Sequence, residues 1–196
     1  MSSTKTELLL LAAGQSARFA GIKQLAEING QPMICHCLSK FRQGNEWMVG
    51  LANGHVVLGA NIEVIIKVLP KTISTFFAQS WQQGIGHSLA ESIQVLSAQT
   101  THVLVGLADQ INITQSQIEQ LLATSKQNPQ LIIAAKYNQS LGVPAIFPRT
   151  YFSQLASLEG DRGARLLLRK YPQQTISICM PEAAFDIDTR HDLNNI

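Results

Sequence analysis

Short apolar runs rich in branched residues alternate along this chain with longer segments of helical periodicity, and this alternation limits the folds open to it. Residues 7–12 and 101–107 have the composition of buried strands, and residues 32–41 carry apolar side chains at helical spacing. Thr114 has the side chain of an N-cap for a helix that runs to Ser125. This alternation predicts an α/β fold, with a doubly wound, mostly parallel sheet covered by helices on both faces. Ligands of such folds bind outside the carboxyl ends of the strands.

The rest of the chain continues the alternation. The other predicted elements are strands at residues 131–135, 145–147 and 175–179, helices at 88–96 and 163–170, a strand at either 47–51 or 56–58, and a segment at 62–68 that fits a strand or a helix. No internal repeat and no low-complexity linker divides the sequence, so we expect a single domain over residues 1–196.

The composition excludes several classes of protein. With 45% hydrophobic residues and a formal net charge of +2 over 196 residues, the chain is too apolar to be disordered and too weakly basic to bind nucleic acid. Its apolar runs are far shorter than the ~20 residues that span a bilayer, so no membrane partner is expected. Residues 1–6 contain one lysine and no long apolar segment, and the three cysteines cannot all pair. We therefore expect a cytoplasmic protein without a secretory signal peptide.

The segment after the first predicted strand, here called the first loop (residues 11–23), has the residues of a phosphate-binding loop. Its small residues 12–14, Ala-Ala-Gly, allow the backbone to approach a ligand closely, and backbone amides in such loops bind anions. Arg18 and Lys23 can neutralise phosphates. The segment matches neither the dinucleotide-binding nor the P-loop pattern. The alternative is an ordinary surface turn with two solvated cations.

Carboxylates follow two of the predicted strands. Asp109 comes after residues 101–107, and Asp186 and Asp188 follow the last strand and point the same way on extended chain. Oxygen ligands of this kind suit Mg²⁺, which usually bridges a protein to substrate phosphates. The structural alternatives are an Asx-turn at Asp109 and helix capping by Asp188 or Thr189.

The sequence LAAGQSARFAGIKQL (residues 11–25) resembles the N-terminal signature of the MobA/MocA-like nucleotidyltransferases of molybdenum-cofactor maturation. Ala20 stands where the signature usually has glycine. Ala-Ala-Gly at residues 12–14 resembles the cytidylyl-transferring branch. The segment from Trp81 to Leu89 is similar to the family's Trp-x-x-Gly-x-x-x-Ser-Leu element, and the alternative there is a glycine turn that N-caps a helix at His87 or Ser88. The resemblance implies a Rossmann-like nucleotidyltransferase fold that uses CTP. The nucleotide-binding residues that it implies are Leu11, Ala12, Ala13, Gly14, Ser16, Arg18, Lys23, Gly84 and Ser88.

Two acidic motifs extend the resemblance. Residues 107–110 are similar to the family's Leu-x-Asp-Gln-Pro, with Ile111 in place of proline, and residues 186–193 match Asp-Ile-Asp-Thr-x-x-Asp-Leu. The resemblance implies that Asp109 and Asp188 hold Mg²⁺ and that Lys23, Asp109 and Arg18 are catalytic.

Two further motifs resemble the part of the family that faces the acceptor. Residues 142–144 match Gly-x-Pro, and residues 160–165 match Gly-Asp-x-Gly-Ala-Arg. The implied acceptor-binding residues are Gly142, Pro144, Asp161 and Arg165. For Asp161, capping of the following helix is an equally good interpretation.

The resemblance implies Mg²⁺-dependent transfer of a nucleotidyl group, CMP from CTP, to the phosphate of molybdopterin, with release of pyrophosphate. The receiving molybdoenzyme or its chaperone would then be a protein partner. One alternative is transfer to another phosphorylated acceptor such as a sugar phosphate. Another is a non-catalytic chaperone that binds molybdopterin, which the changes at Ala20 and Ile111 motivate.

Overall fold

A seven-stranded sheet forms the centre of the computed structural model, which describes residues 4–195. Residues 1–3 and 196 lie outside the described residues. The expectation of no signal peptide was based on residues 1–6, so half of that segment lies outside them too. The strands in chain order are β1 (Thr6–Leu11), β2 (Glu27–Ile28), β3 (Gln31–Pro32), β4 (Arg42–Gln43), β5 (Glu46–Trp47), β6 (Leu51–Leu58), β7 (Ser74–Phe77), β8 (His102–Leu107), β9 (Ile132–Tyr137), β10 (Ser140–Pro148) and β11 (Thr175–Cys179).

The sheet has the order β11-β9-β10-β8-β1-β6-β7, and it is mostly parallel, as predicted. Parallel pairs join β1 to both β6 and β8, β6 to β7, and β9 to β11. β10 is the exception, because it runs antiparallel to both of its neighbours, β8 and β9. The two short hairpins, β2–β3 and β4–β5, lie outside the main sheet.

Helices cover both faces of the sheet. They are α1 (Met33–Ser39), α2 (Ile62–Ile65), α3 (Ile85–Ser92), α4 (Gln115–Gln127), α5 (Phe152–Leu155) and α6 (Arg165–Lys170). Within residues 4–195, no helix is both long and apolar enough to cross a membrane.

The core consists of two apolar layers that the central strand separates. Every residue of β1 is buried, and its side chains alternate between the two faces of the sheet. Leu8 and Leu10 pack in one layer, which includes residues of α1 and α4. Leu9 and Leu11 pack in the other, which includes residues of α3, α5 and α6. A strand buried on both faces is the reason for the uninterrupted apolar run that predicts it.

Most of the predicted elements are confirmed, and the differences lie at one edge and at one antiparallel strand. Residues 56–58 belong to β6, whereas residues 47–51 lie mostly outside strands. The edge strand β7 was not predicted, because its Ser-Thr-Phe-Phe sequence is short and its side chains are half-buried or exposed. β10 is nine residues long rather than three, since Gly142 and Pro144 weaken its strand pattern. Residues 62–65 are helical.

The predicted cap of α4 is confirmed in detail. The Thr114 hydroxyl accepts a hydrogen bond from the backbone N–H of Gln117, and the Gln117 side chain accepts one from the backbone N–H of Thr114. This reciprocal arrangement satisfies two amides that the first turn of a helix leaves unpaired.

Thr114→Ala is expected to lower the free energy of unfolding by about 1 kcal/mol, because it removes this cap. Thr124→Ala is the matched control, since Thr124 lies within the same helix and its hydroxyl bonds only to the backbone of that helix. The control should change the unfolding free energy by less than about 0.5 kcal/mol. Urea denaturation of both variants measures the difference, and equal effects would contradict the capping role.

Candidate active site

A cavity of about 430 Å³ opens at the carboxyl ends of β1 and β8, where the fold class predicts a ligand. Three segments line it: the first loop, the segment that contains Trp81 and Gly84, and the residues that follow β8. The volume falls in the range of small-molecule sites. The cavity-lining residues that the sequence predicted for nucleotide binding are Leu11, Ala12, Ala13, Gly14, Lys23, Gly84 and Ser88.

The first loop is anchored at its start by the neighbouring strand. The Ala12 amide donates to the Val57 carbonyl at 2.8 Å, and the Ala13 carbonyl accepts from the Ala60 amide at 3.0 Å. Gly59 lies between the loop and the indole of Trp81, and a Cβ atom there would lie 2.6 Å from the Ala13 oxygen. Only glycine at this position allows the indole segment to pack against the loop.

Gln24 holds the loop from inside, and the sequence analysis did not identify it. Its side chain is 3% exposed, and its amide nitrogen donates to the carbonyls of Ala12 and Gly14, at 3.0 Å each. Its oxygen accepts from the hydroxyl of Ser16 at 3.1 Å. The Ser16 side chain is therefore bonded to Gln24, and Ser16 is not among the residues that line the cavity. Gln24 lies within residues 11–25, but the pattern of this segment assigns it no role.

Lys23 lies between two of the predicted carboxylates. Its Nζ is 2.8 Å from Oδ2 of Asp109 and 3.6 Å from Oδ1 of Asp188. The Arg18 guanidinium is 2.9 Å from Oδ2 of Asp188, but its side chain is 75% exposed and lies at the surface. The structure thus brings together the two predicted metal ligands and the two predicted cations. The side chains of Asp109 and Asp188 therefore form ion pairs, instead of the Asx-turn that was the alternative for Asp109 and the helix cap that was the alternative for Asp188.

The same acidic group has free oxygen capacity for a cation. Oδ1 of Asp109 is buried without a hydrogen-bond partner. The Ile187 amide donates to the backbone carbonyl of Asp109 at 3.3 Å, which ties the two acidic segments together. In residues 4–195, no three His, Cys, Asp or Glu side chains already form a metal-binding group. The carboxylates of Asp109 and Asp188 nevertheless fit Mg²⁺ or a similar hard ion, because both offer oxygen ligands and one buried oxygen of Asp109 has no partner.

Asp186 adjoins this group of charged side chains. Burial raises the pKa of its carboxyl to about 6, and the carboxylates of Asp109 and Asp188 add to the rise. The cations of Lys23 and Arg165 oppose it. Negative charge is thus concentrated where the first loop, β8 and the C-terminal segment meet.

The Trp81 segment closes one side of the cavity by packing on the loop around Gly160. The Gly86 amide donates to the Gly160 carbonyl at 2.7 Å, and the Gly160 amide donates to the His87 imidazole at 3.0 Å. A Cβ atom at Gly84 would collide with the Asp161 carboxylate and the Gly160 backbone. Gly84 is the N-cap of α3, which begins at Ile85 without a side-chain cap, so a glycine turn does start this helix, but the cap is not at His87 or Ser88.

A second cavity of about 170 Å³ adjoins the first and shares Asp161 and Ile85 with it. Arg165 lines it and is held by Tyr137, because its Nη2 donates to the phenol oxygen at 3.1 Å and its guanidinium lies over the ring. Ala164, rather than Asp161, precedes α6, and it carries no side-chain cap.

The other predicted acceptor residues, Gly142 and Pro144, are not among the residues that line the second cavity. Gly142 makes room for the Tyr137 ring, since a Cβ atom there would collide with it. Val143 lines the second cavity, whereas Pro144 lies against a separate, much smaller hollow beside Phe41. Tyr137 was not identified from the sequence, because Arg165 comes from α6 and meets Tyr137 of β9 only through the packing of the fold.

A family model described as the MobA-like NTP transferase domain matches residues 8–175. The chain belongs to this family. The resemblance of residues 11–25 to the MobA-like signature is thereby confirmed.

Solved structures support the assignment of the architecture. Rv0371c from Mycobacterium tuberculosis H37Rv superposes with a TM-score of 0.85 at 22% identity, over 100% of this chain and 98% of that one. A structure of Rv0371c in complex with manganese gives a TM-score of 0.78 at 20% identity, over 98% and 97% of the two chains. 4-Diphosphocytidyl-2C-methyl-D-erythritol synthase from Anaerococcus prevotii gives 0.75 at 12% identity, over 98% and 94%. At these identities the likeness concerns the fold.

Among curated proteins, the bifunctional protein GlmU of Pseudomonas paraeruginosa is 30% identical over 119 residues. The match covers 60% of this chain and 25% of that protein. The chain therefore spans about a quarter of the length of the curated relatives it matches.

The two departures from the MobA-like pattern have clear structural settings. Ala20 has φ 53° and ψ 49°, the left-handed conformation that glycine adopts without strain. Ile111 is 3% exposed and packs with Phe19, Met33 and Ile187 in a small apolar cluster beneath the site. The isoleucine thus fills the position with apolar contacts.

Ala20→Gly is expected to raise the free energy of unfolding by about 1 kcal/mol, because it relieves the left-handed alanine. Ala156→Gly is the control, since Ala156 is exposed and has an ordinary right-handed conformation with φ −69°. There the same change should destabilise the chain by roughly 0.5–1 kcal/mol. Chemical denaturation measures both, and a loss of stability in Ala20→Gly would contradict this interpretation.

Proposed function

We propose that this chain transfers a cytidylyl group from CTP to the phosphate of a molybdopterin-type acceptor, with release of pyrophosphate. The single observation that carries the proposal is the Lys23–Asp109 ion pair on the wall of the first cavity, next to a second cavity that Arg165 lines. A phosphate-binding cation, two carboxylates for a metal and a separate anion-binding site are the parts that nucleotidyl transfer needs. The whole chain, residues 1–196, acts as one nucleotidyltransferase domain.

The nucleotide would occupy the first cavity. The amides of the first loop and the ammonium of Lys23 would bind the triphosphate, and Arg18 would approach from the surface. Gly84 and Ser88 would lie beside the base. Alanine at position 13 favours CTP through the resemblance to the cytidylyl-transferring branch, and one structural relative is named for a cytidylyl product.

Asp109 and Asp188 would hold Mg²⁺, and the unpaired buried Oδ1 of Asp109 supports this assignment. A structural relative is described in complex with manganese. When bound, the ion would neutralise charge on the phosphates during transfer. Both carboxylates already contact Lys23, so their part is to bind cations and to orient the lysine.

The acceptor would enter the second cavity with its phosphate on Arg165, whose guanidinium the Tyr137 hydroxyl and ring orient. An oxygen of that phosphate attacks the α-phosphorus of CTP, the bond from this phosphorus to the β-phosphate oxygen breaks, and pyrophosphate leaves. The acceptor phosphate is already anionic near neutral pH, so no side chain has to remove a proton. Asp161 lines both cavities and so lies where the acceptor and the nucleotide would meet.

The first test is calorimetric titration with CTP, GTP and ATP, with and without Mg²⁺, followed by a pyrophosphate-release assay with molybdopterin. The proposal expects Mg²⁺-dependent binding that favours CTP, and release only when acceptor is present. A GTP preference would contradict the base assignment. Release with a sugar phosphate but not with molybdopterin would contradict the acceptor, and acceptor binding without any release would indicate a carrier protein.

Asp109→Asn should lower Mg²⁺-dependent pyrophosphate release at least about 100-fold. The neutral amide would replace a negatively charged ligand of the ion that neutralises the phosphates during transfer. Glu119→Gln is a matched control, since Glu119 is exposed on α4. The control should keep the wild-type rate. A wild-type rate in Asp109→Asn would overturn the metal assignment.

Lys23→Met should move two affinities in opposite directions. The dissociation constant for CTP should rise roughly 10- to 100-fold, because a charge-assisted contact to phosphate is lost. The affinity for Mn²⁺ without nucleotide should rise roughly 10-fold, because the ammonium no longer compensates Asp109 and Asp188. Calorimetry and electron paramagnetic resonance of free Mn²⁺ measure the two. Lys126→Met, at the far end of α4, is the control, and weaker Mn²⁺ binding in Lys23→Met would contradict the interpretation.

A further inference from the structure

We propose that Gln24 is the positioning residue of the phosphate loop: its side-chain amide fixes which way the loop's peptide groups face and so sets the affinity for the triphosphate. The inference rests on the proposed function. Gln24 lies within the segment that resembles the family signature, but it is not among the candidate residues derived from the sequence, and the structure identifies its contacts.

The hydrogen bonds of Gln24 all go to one short stretch of the first loop. Both bonds from its amide nitrogen end on loop carbonyls, those of Ala12 and Gly14, and its oxygen accepts from Ser16. With 3% exposure, this side chain has almost no water to replace these partners. A buried amide that loses its partners is costly, so the loop and the glutamine constrain each other.

The direction of these bonds decides what the loop presents to a ligand. In a trans peptide the carbonyl and the N–H of one unit point in opposite directions. Because the carbonyls of Ala12 and Gly14 are turned toward Gln24, the N–H groups of the next residues, Ala13 and Gln15, are turned away from it. Within residues 4–195, neither N–H donates a hydrogen bond to another group of the chain. Both residues line the first cavity, so these donors are available to phosphate oxygens.

Gln24 also joins the loop amides to the lysine. Lys23 and Gln24 are consecutive residues of one 3₁₀ turn, Lys23–Leu25, and their side chains go to different partners. Lys23 reaches Asp109, whereas Gln24 reaches the loop. The turn therefore sets the ammonium at a fixed position relative to the amide donors, which is the preorganisation that phosphate binding uses.

Ser16 acts through this network. The family resemblance implies that Ser16 contacts nucleotide, but its hydroxyl donates to the Gln24 oxygen. That bond leaves the amide nitrogen as the end of Gln24 that faces the two carbonyls. Ser16 thus selects the orientation of the glutamine amide, and its effect on nucleotide binding should depend on Gln24.

The test measures the dissociation constant for CTP with Mg²⁺ by calorimetry in wild type, Gln24→Met and Gln24→Glu. Methionine keeps the volume without the donors, and glutamate keeps the acceptor for Ser16 without the donors. Both variants should bind CTP roughly 10- to 100-fold more weakly, as expected for two lost hydrogen bonds. The KM for the acceptor should change less than about threefold, since the second cavity lies on other residues. Gln127→Met, an exposed position on α4, is the matched control and should bind like wild type.

The outcomes separate this inference from the proposed function. If wild type binds no nucleoside triphosphate, the proposed function fails. If wild type binds CTP and Gln24→Met binds within about threefold of it, packing suffices and the positioning role is overturned.

Ser16→Ala keeps the inference testable if the Gln24 variants do not fold. It should weaken CTP binding by a few-fold in the wild-type background. Where Gln24→Met folds, adding Ser16→Ala to it should weaken binding no further. Unchanged CTP affinity in Ser16→Ala, or a full additional loss in the double variant, would overturn the network.

Discussion

The ion pair between Lys23 and Asp109 is the interaction on which the rest of the site depends. Both side chains are largely shielded, with 15% and 22% exposure, so the attraction is screened less than that of a surface pair. The exposed Arg18–Asp188 pair is the contrasting case, and its contribution to stability is small. Because Lys23 comes from the first loop and Asp109 from the end of β8, their contact ties the phosphate-binding and metal-binding halves of the proposed mechanism together.

That contact exists because of the strand order. β1 and β8 are parallel neighbours whose register pairs Leu11 with Leu107, so the loops that follow them leave the sheet side by side. β10 runs antiparallel between β8 and β9. Val143 of β10, Tyr137 of β9 and Arg165 of α6 line the second cavity together. β11 returns the chain so that Asp186 and Asp188 follow the sheet there too. Residues separated by most of the sequence therefore meet in two adjoining cavities.

Two glycines, Gly59 and Gly84, and one glutamine, Gln24, determine much of the geometry of this arrangement. Gly59 and Gly84 allow backbone and side chains to approach at distances that a Cβ atom would prevent, which brings the Trp81 segment against both the first loop and the Gly160 loop. Gln24 then fixes the loop from its buried side. These residues contribute no reactive group, yet the shape and the donor direction of the first cavity depend on them.

The sequence by itself determined the features that are local. The alternation of elements predicts the sheet, Thr114 predicts the start of α4, and the first loop together with Asp109 and Asp188 predicts the candidate site, because each depends on neighbouring residues and on the rule that ligands lie beyond strand ends. The tertiary structure alone decided the contacts of Gln24 and Tyr137, the pairing of β7 as an edge strand, and the bond from Ser16 to Gln24. These features depend on contacts between distant segments. A periodic sequence pattern does not encode such contacts, because the packing of the whole sheet determines which groups come within hydrogen-bond distance.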